Sequence, residues 1–194
     1  MPPSNPDSDK TYVFYLHGQI VEGSDGRPVS REHGPYEFQM IVEALRDSGF
    51  VVISEVRSRD TDVETYARSV ATWIEGLVAS GVPPGQIAVI GGSKGGIIAL
   101  RVSASLPLEE VRYVILPGVF RGGTDSGLHG RVLSIHDESD RFPMDPAGYL
   151  SRSPELSEGN FIVTRTGMGH GLIFQPHREW MDFAVDWIRN GSID

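Results

Sequence analysis

The sequence predicts a three-layer α/β/α sandwich on a mostly parallel sheet of about six strands. Three observations predict it. Short apolar runs alternate with longer segments in which apolar residues recur at helical spacing. The short runs lack polar–apolar alternation, as befits strands covered on both faces. Each strand–helix–strand passage must return the chain to the same end of the sheet, which requires parallel pairing.

The elements follow in order. Residues 12–17, Tyr-Val-Phe-Tyr-Leu-His, form the first strand. A helix over 35–48 takes Pro35 in its first turn, buries Met40, Ile41, Ala44 and Leu45, and stops at Gly49. Residues 50–55 are the second strand. Thr61-Asp62-Val63-Glu64 has the spacing of a capping box. It opens a helix with Val63, Tyr66, Ala67, Val70, Ile74, Leu77 and Val78 on one face, ended by Gly81. The third strand is 87–90, and a helix over 93–105 follows. Strands are expected at 111–116 and 132–135, a short helix after Pro146, and a sixth strand at 161–164. The last helix starts near Pro176 and carries Trp180, Phe183, Ala184, Trp187 and Ile188 on one stripe, with Gly191 past its end. Residues 1–10, rich in Pro, Ser and Asp, are expected to be a disordered tail, and 11–194 one domain.

Composition narrows the function. With 17 basic and 26 acidic residues the net charge is −9, which disfavours a nucleic-acid binder or a surface that docks on anionic lipid. Cysteine is absent, excluding disulfides, thiolate metal sites and a cysteine nucleophile. No apolar run approaches the roughly 18 residues of a membrane span, and the first ten residues do not resemble a signal peptide, so a cytoplasmic protein is expected. The six histidines are scattered without metal-ligand spacing, so neither metal nor cofactor is implied. A homo-oligomer is compatible with the sequence.

Ligands in such sheets bind at the carboxyl ends of the strands. The third strand runs into Gly91-Gly92-Ser93-Lys94-Gly95-Gly96 and then a helix. This is G-x-S-x-G in its informative context: a serine on a sharp turn, small neighbours where strand and helix meet, and a helix N-terminus aimed at the serine. The plainer reading is a Gly-rich turn whose serine caps the helix. The first strand ends in Leu16-His17-Gly18. A backbone N–H there, from Gln19 or Gly18, suits an oxyanion donor beside that of Lys94, while His17 is better read as a structural imidazole. After the fifth strand, Asp137 and Asp140 compete to orient a histidine. Asp140, in Asp-Arg-Phe-Pro with Pro143, is preferred because such an acid reaches in from the turn. After the sixth strand, His170 lies between Gly169 and Gly171 on what reads as a flexible loop. Flanking glycines let its imidazole approach a serine and an acid closely.

With these motifs in place the chain resembles a small α/β-hydrolase, similar to the esterase, thioesterase and dienelactone-hydrolase branch. The order Ser93, Asp140, His170 matches that superfamily. The resemblance implies a minimal fold without a large cap and a serine hydrolase that cleaves a carboxylic ester or thioester. A small-molecule acyl substrate is then the partner. Two departures stand out: the opening β-hairpin is missing, and Ser93 stands where dienelactone hydrolases carry cysteine.

The segment 117–130 is short and Gly-rich, so an open site is expected. The long connection 19–34, with Ile20, Glu22 and His33, is either a partial cover or a surface excursion. Arg57 and Arg59, after the second strand, are candidates with Ile20 for substrate binding and suggest an anionic substrate. The alternative is that Arg57 pairs with Glu55 or Asp60 and stiffens its loop. Two other functions stay open. One is a lyase or cyclase using His170 as general base; the other is a ligand receptor that kept the pocket.

Overall fold

The computed structural model describes residues 1–118, 127–142 and 145–193. Pro143 and most of the 117–130 segment, on which the open-site expectation rests, lie outside them.

In chain order the elements are β1 (Tyr12–Leu16), β2 (Val29–Ser30), β3 (Gly34–Pro35), α1 (Phe38–Asp47), β4 (Val51–Ile53), α2 (Val63–Ala79), β5 (Ile87–Gly91), α3 (Lys94–Ser105), β6 (Arg112–Ile115), β7 (Gly130–Asp137), α4 (Pro146–Ser151), β8 (Leu156–Thr164) and α5 (Arg178–Asn190). Six strands form one parallel sheet in the order β4-β1-β5-β6-β7-β8. The chain moves outward from β1 to β4, then returns past β1 to β5 and continues the other way. The direction of winding therefore reverses between β1 and β5, leaving a crevice at their carboxyl ends.

Each face of the sheet has its own core. On one, Ile41, Val42 and Leu45 of α1 and Trp180, Ala184 and Trp187 of α5 pack on Val13, Tyr15, Ala88 and Ile90. On the other, Val70, Ile74 and Leu77 of α2 and Ile98 and Val102 of α3 pack on Tyr12, Phe14, Val89 and Ile115. Each fully buried aliphatic side chain contributes roughly 1.5–3 kcal/mol. This is the expected three-layer sandwich.

Five local features differ from expectation. Met40, expected on the buried stripe of α1, is 50% exposed, and Phe38 and Val42 join Ile41 and Leu45 in the core instead. Pro35 belongs to β3, paired antiparallel with Val29 of β2, so α1 begins only at Phe38. The N-cap of α2 is Asp62, whose carboxylate accepts from Thr65 N–H at 2.9 Å, not Thr61, whose hydroxyl turns back to Ser58 O. β8 begins at Leu156 and alternates along its length, leaving Phe161 and Val163 exposed, because it is the edge strand. The segment carrying His170 is not a loose loop but a 3-10 helix, Gly169–Ile173. Residues 1–10 contain no helix or strand, and Asp7 N–H donates to Tyr12 Oη at 2.7 Å.

Candidate active site

Ser93 stands at the winding reversal, on the turn from β5 into α3. Its φ of 55° and ψ of −122° are strained for a non-glycine residue. The turn is held by Ser93 N–H donating to Pro117 O at 2.6 Å. Ser93 precedes α3, yet its side chain makes no capping hydrogen bond, so the helix-cap reading does not account for it.

The glycines answer to contacts. A Cβ on Gly95 would lie 1.9 Å from Leu16 O, and one on Gly91 2.2 Å from Gly95 O. Helix α3 thus rests directly on the ends of β1 and β5, and only glycine permits it. A Cβ on Gly18 would lie 3.3 Å from Ser93 Cβ, bringing the β1 turn against the serine.

Lys94 is the first residue of α3 and Gln19 the first of the 3-10 turn Gln19–Val21, so neither N–H has an acceptor within its own helix. Gly18, also a candidate donor, directs its N–H to Tyr36 Oη at 3.4 Å, and the lack of a Cβ there leaves room for Ser93.

His17 is fully buried and holds this turn together. Its Nδ1–H donates to Gly18 O at 2.8 Å and its Nε2 accepts from Arg57 N–H at 3.0 Å. That pairing fixes the neutral tautomer. Burial first, and then the Arg57 charge, push its pKa down to about 3.

The two aspartates after β7 separate cleanly. Asp140 Oδ2 lies 3.0 Å from His170 Nδ1, and Asp140 Oδ1 accepts from Phe142 N–H at 2.9 Å. Asp137 instead accepts from Ser139, Thr164, Thr166 and Gly169, binding the β7 and β8 loops together. Burial would raise its pKa, but the donors from Ser139 and Thr166 prevail and hold the carboxyl well below its usual range.

Ser93 and His170 line one cavity of about 270 Å³, with Gly18, Gln19, Ile20, Tyr36, Phe142, Ile173 and Phe174 among its walls. No hydrogen bond joins Ser93 Oγ to the imidazole among the described residues; the imidazole's polar partner is Asp140. The Phe142 ring meets His170 edge-on at 4.5 Å. A second, more polar cavity of about 460 Å³ continues past His170 toward Ser139, Arg141 and Met168.

The connection 19–34 is a wall of this site, since Ile20, Ser30, Glu32 and His33 all face the cavity. Glu32 also pairs with Arg141 on the acid turn. His33, named in the sequence only as part of the 19–34 connection, lies against His170 in this site. Its ring lies 5.2 Å from Phe174 and 6.2 Å from His170, and burial and the neighbouring imidazole lower its pKa. A histidine in a long loop gives no signal of facing another.

The substrate-binding candidates divide. Ile20 lines the cavity and is 39% exposed. Arg59 is exposed in an adjoining concavity of about 340 Å³ that shares Gln19 and Ile20 with it. Arg57 is corrected: it is 2% exposed, and its partner is Glu22 rather than Glu55 or Asp60. A guanidinium so enclosed is not a surface for ligand.

No protein-family model matches the sequence, and no curated protein matches it significantly. Solved structures do. Esterase PE8 superposes with a TM-score of 0.61 at 16% identity, covering 93% of this chain and 92% of its own. SOBER1 of Arabidopsis thaliana gives 0.60 at 18%, covering 93% and 98%. The Pyrococcus furiosus esterase Pf2001 gives 0.61 at 16%, covering 94% and 83%.

The chain has the α/β-hydrolase fold.

Within that fold, the serine turn after β5, the acid turn after β7 and the histidine segment after β8 converge at one sheet end. None of the helices among the described residues is long and apolar enough to cross a membrane.

Proposed function

We propose that the protein is a serine hydrolase that cleaves a carboxylic ester or thioester through an acyl-enzyme. One observation carries the reading: His170 is held 3.0 Å from Asp140 in the cavity that Ser93 lines from a strained turn. In this reading Asp140 accepts Nδ1–H, which leaves Nε2 as the basic nitrogen toward the cavity. His170 takes the Ser93 proton as Oγ attacks the acyl carbon. The tetrahedral oxyanion forms against the N–H groups of Lys94 and Gln19. His170 then gives its proton to the leaving oxygen or sulfur, and water, activated by the same imidazole, releases the acid and restores Ser93.

The apolar walls Ile20, Tyr36, Ile173 and Phe174 suit the acyl group. The neighbouring concavity sets the exposed Arg59 beside Glu22 and Asp60, and in this reading Arg59 is the group there that pairs with a negatively charged part of the substrate. Rapid quench during turnover of an ester series, followed by intact mass measurement, tests the chemistry. The reading expects Ser93 to carry the acyl mass. Product formation with no such adduct, for substrates whose deacylation is slow, contradicts it.

A further inference from the structure

Glu22 lies in the 19–34 connection, yet its side chain is 2% exposed. Its carboxylate accepts from Lys94 Nζ at 2.8 Å and from Arg57 Nε at 3.3 Å. The three residues come from segments following β1, β4 and β5. Arg57 also donates through its second nitrogen to His17 O, and its guanidinium sits 5.5 Å from the Tyr66 ring. His17 in turn holds Gly18 O. Glu22 N–H donates to Gln19 O at 3.0 Å, closing the 3-10 turn that begins with Gln19.

Enclosing three ionised groups costs desolvation that their attraction does not reliably return, so such a network is weak support for stability and a better device for fixing geometry. The geometry at stake is demanding, because oxyanion donors must sit within about 2.7–3.1 Å of the developing charge. Lys94 directly follows Ser93, and Gln19 opens the opposite turn.

Resting on the hydrolase reading, we infer that Glu22 is the positioning residue of the oxyanion hole: by holding Lys94 and Arg57 together, it sets the two segments that carry the donor N–H groups. It touches no reacting atom and acts through the backbone of its partners.

The test is Glu22→Gln, which keeps the size and one acceptor oxygen but removes the charge. Activity is measured on a short-chain ester, together with affinity for a boronic acid that mimics the tetrahedral intermediate and for the product acid. A positioning role lowers kcat at least tenfold with KM within about threefold. It weakens the boronic acid in proportion to kcat/KM and leaves product affinity unchanged. Combining Glu22→Gln with Lys94→Met then costs less than the product of the two single effects. A parent-level kcat/KM, whatever happens to the melting temperature, overturns the inference, as does equal weakening of boronic acid and product. Should Glu22→Gln fail to fold, Lys94→Met is measured in its place, with the same split expected and the same results overturning the inference. Fluorophosphonate labelling of the parent protein keeps the two ideas apart. If Ser93 is not labelled, the hydrolase reading itself fails; if it is labelled and Glu22→Gln is unimpaired, only the positioning role fails.

Discussion

Asp140 Oδ2 stands 3.0 Å from His170 Nδ1, while Asp137, the acid at the very end of β7, has its oxygens engaged by the surrounding loops. Two carboxylates three positions apart thus have separable tasks. Asp140→Asn should lower kcat by about 10³–10⁴-fold through loss of the productive tautomer, with little change in melting temperature. Asp137→Asn should do the reverse, destabilising the fold by a few kcal/mol while the surviving folded fraction stays active. Steady-state kinetics beside calorimetry on both variants decides it; a large kcat loss confined to Asp137→Asn would contradict the assignment.

The same carboxylate should be visible in the acid stability profile. The folded pKa of Asp137 is held below its unfolded value, with the Ser139 and Thr166 donors outweighing the opposing effect of burial. Its contribution is therefore present above the unfolded pKa, near pH 4, and is lost as pH falls through the folded pKa. The parent protein should lose stability steeply below about pH 4. Asp137→Asn should start lower at neutral pH and fall less steeply. Denaturant midpoints measured across that range check this, and equal slopes would contradict it.

Glycine substitutions should change sign with position. Gly76 lies within α2, and a Cβ added there would meet nothing within 4 Å, so Gly76→Ala should raise stability by up to about 1 kcal/mol, the helix-propensity gain. Gly95 is also helical, but its Cβ would strike Leu16 O at 1.9 Å. Gly95→Ala should lose well over about 3 kcal/mol or fail to fold. Thermal melts of the pair check it; a stable, active Gly95→Ala would show that α3 does not rest on β1 as described.

The cavity walls make predictions about substrate. Ile20→Ala should raise KM for longer acyl esters at least threefold, leave acetyl esters nearly unchanged, and barely move the melting temperature, because Ile20 is already 39% exposed. Arg59→Ala should raise KM for anionic esters and not for neutral ones. Arg59→Ala with identical effects on both would remove the anionic-substrate proposal.

These outcomes bear on what a sequence exposes. The Ser93 turn is readable because its requirement is local: Gly91 and Gly95 are needed wherever α3 crosses the ends of β1 and β5, and both are only steps from the serine. That Asp140 rather than Asp137 meets His170 is readable from reach, since a residue on the turn extends further than one at the strand end. Arg57 is misread from sequence because its partner Glu22 comes from another loop, and no local pattern announces a pairing made only when β1 and β4 lie side by side. That His33 faces His170 is hidden for the same reason. Asp62 displaces Thr61 as N-cap by a one-residue shift, a distinction that depends on where the chain leaves β4 rather than on the residues themselves. The alternation in β8 reflects its edge position, which topology decides.

The most direct measurement is turnover by Ser93→Ala on any ester or thioester the parent protein hydrolyses. The account predicts a loss of at least about a thousandfold in kcat with the melting temperature within a few degrees of the parent. Hydrolysis by Ser93→Ala at the parent rate would contradict it.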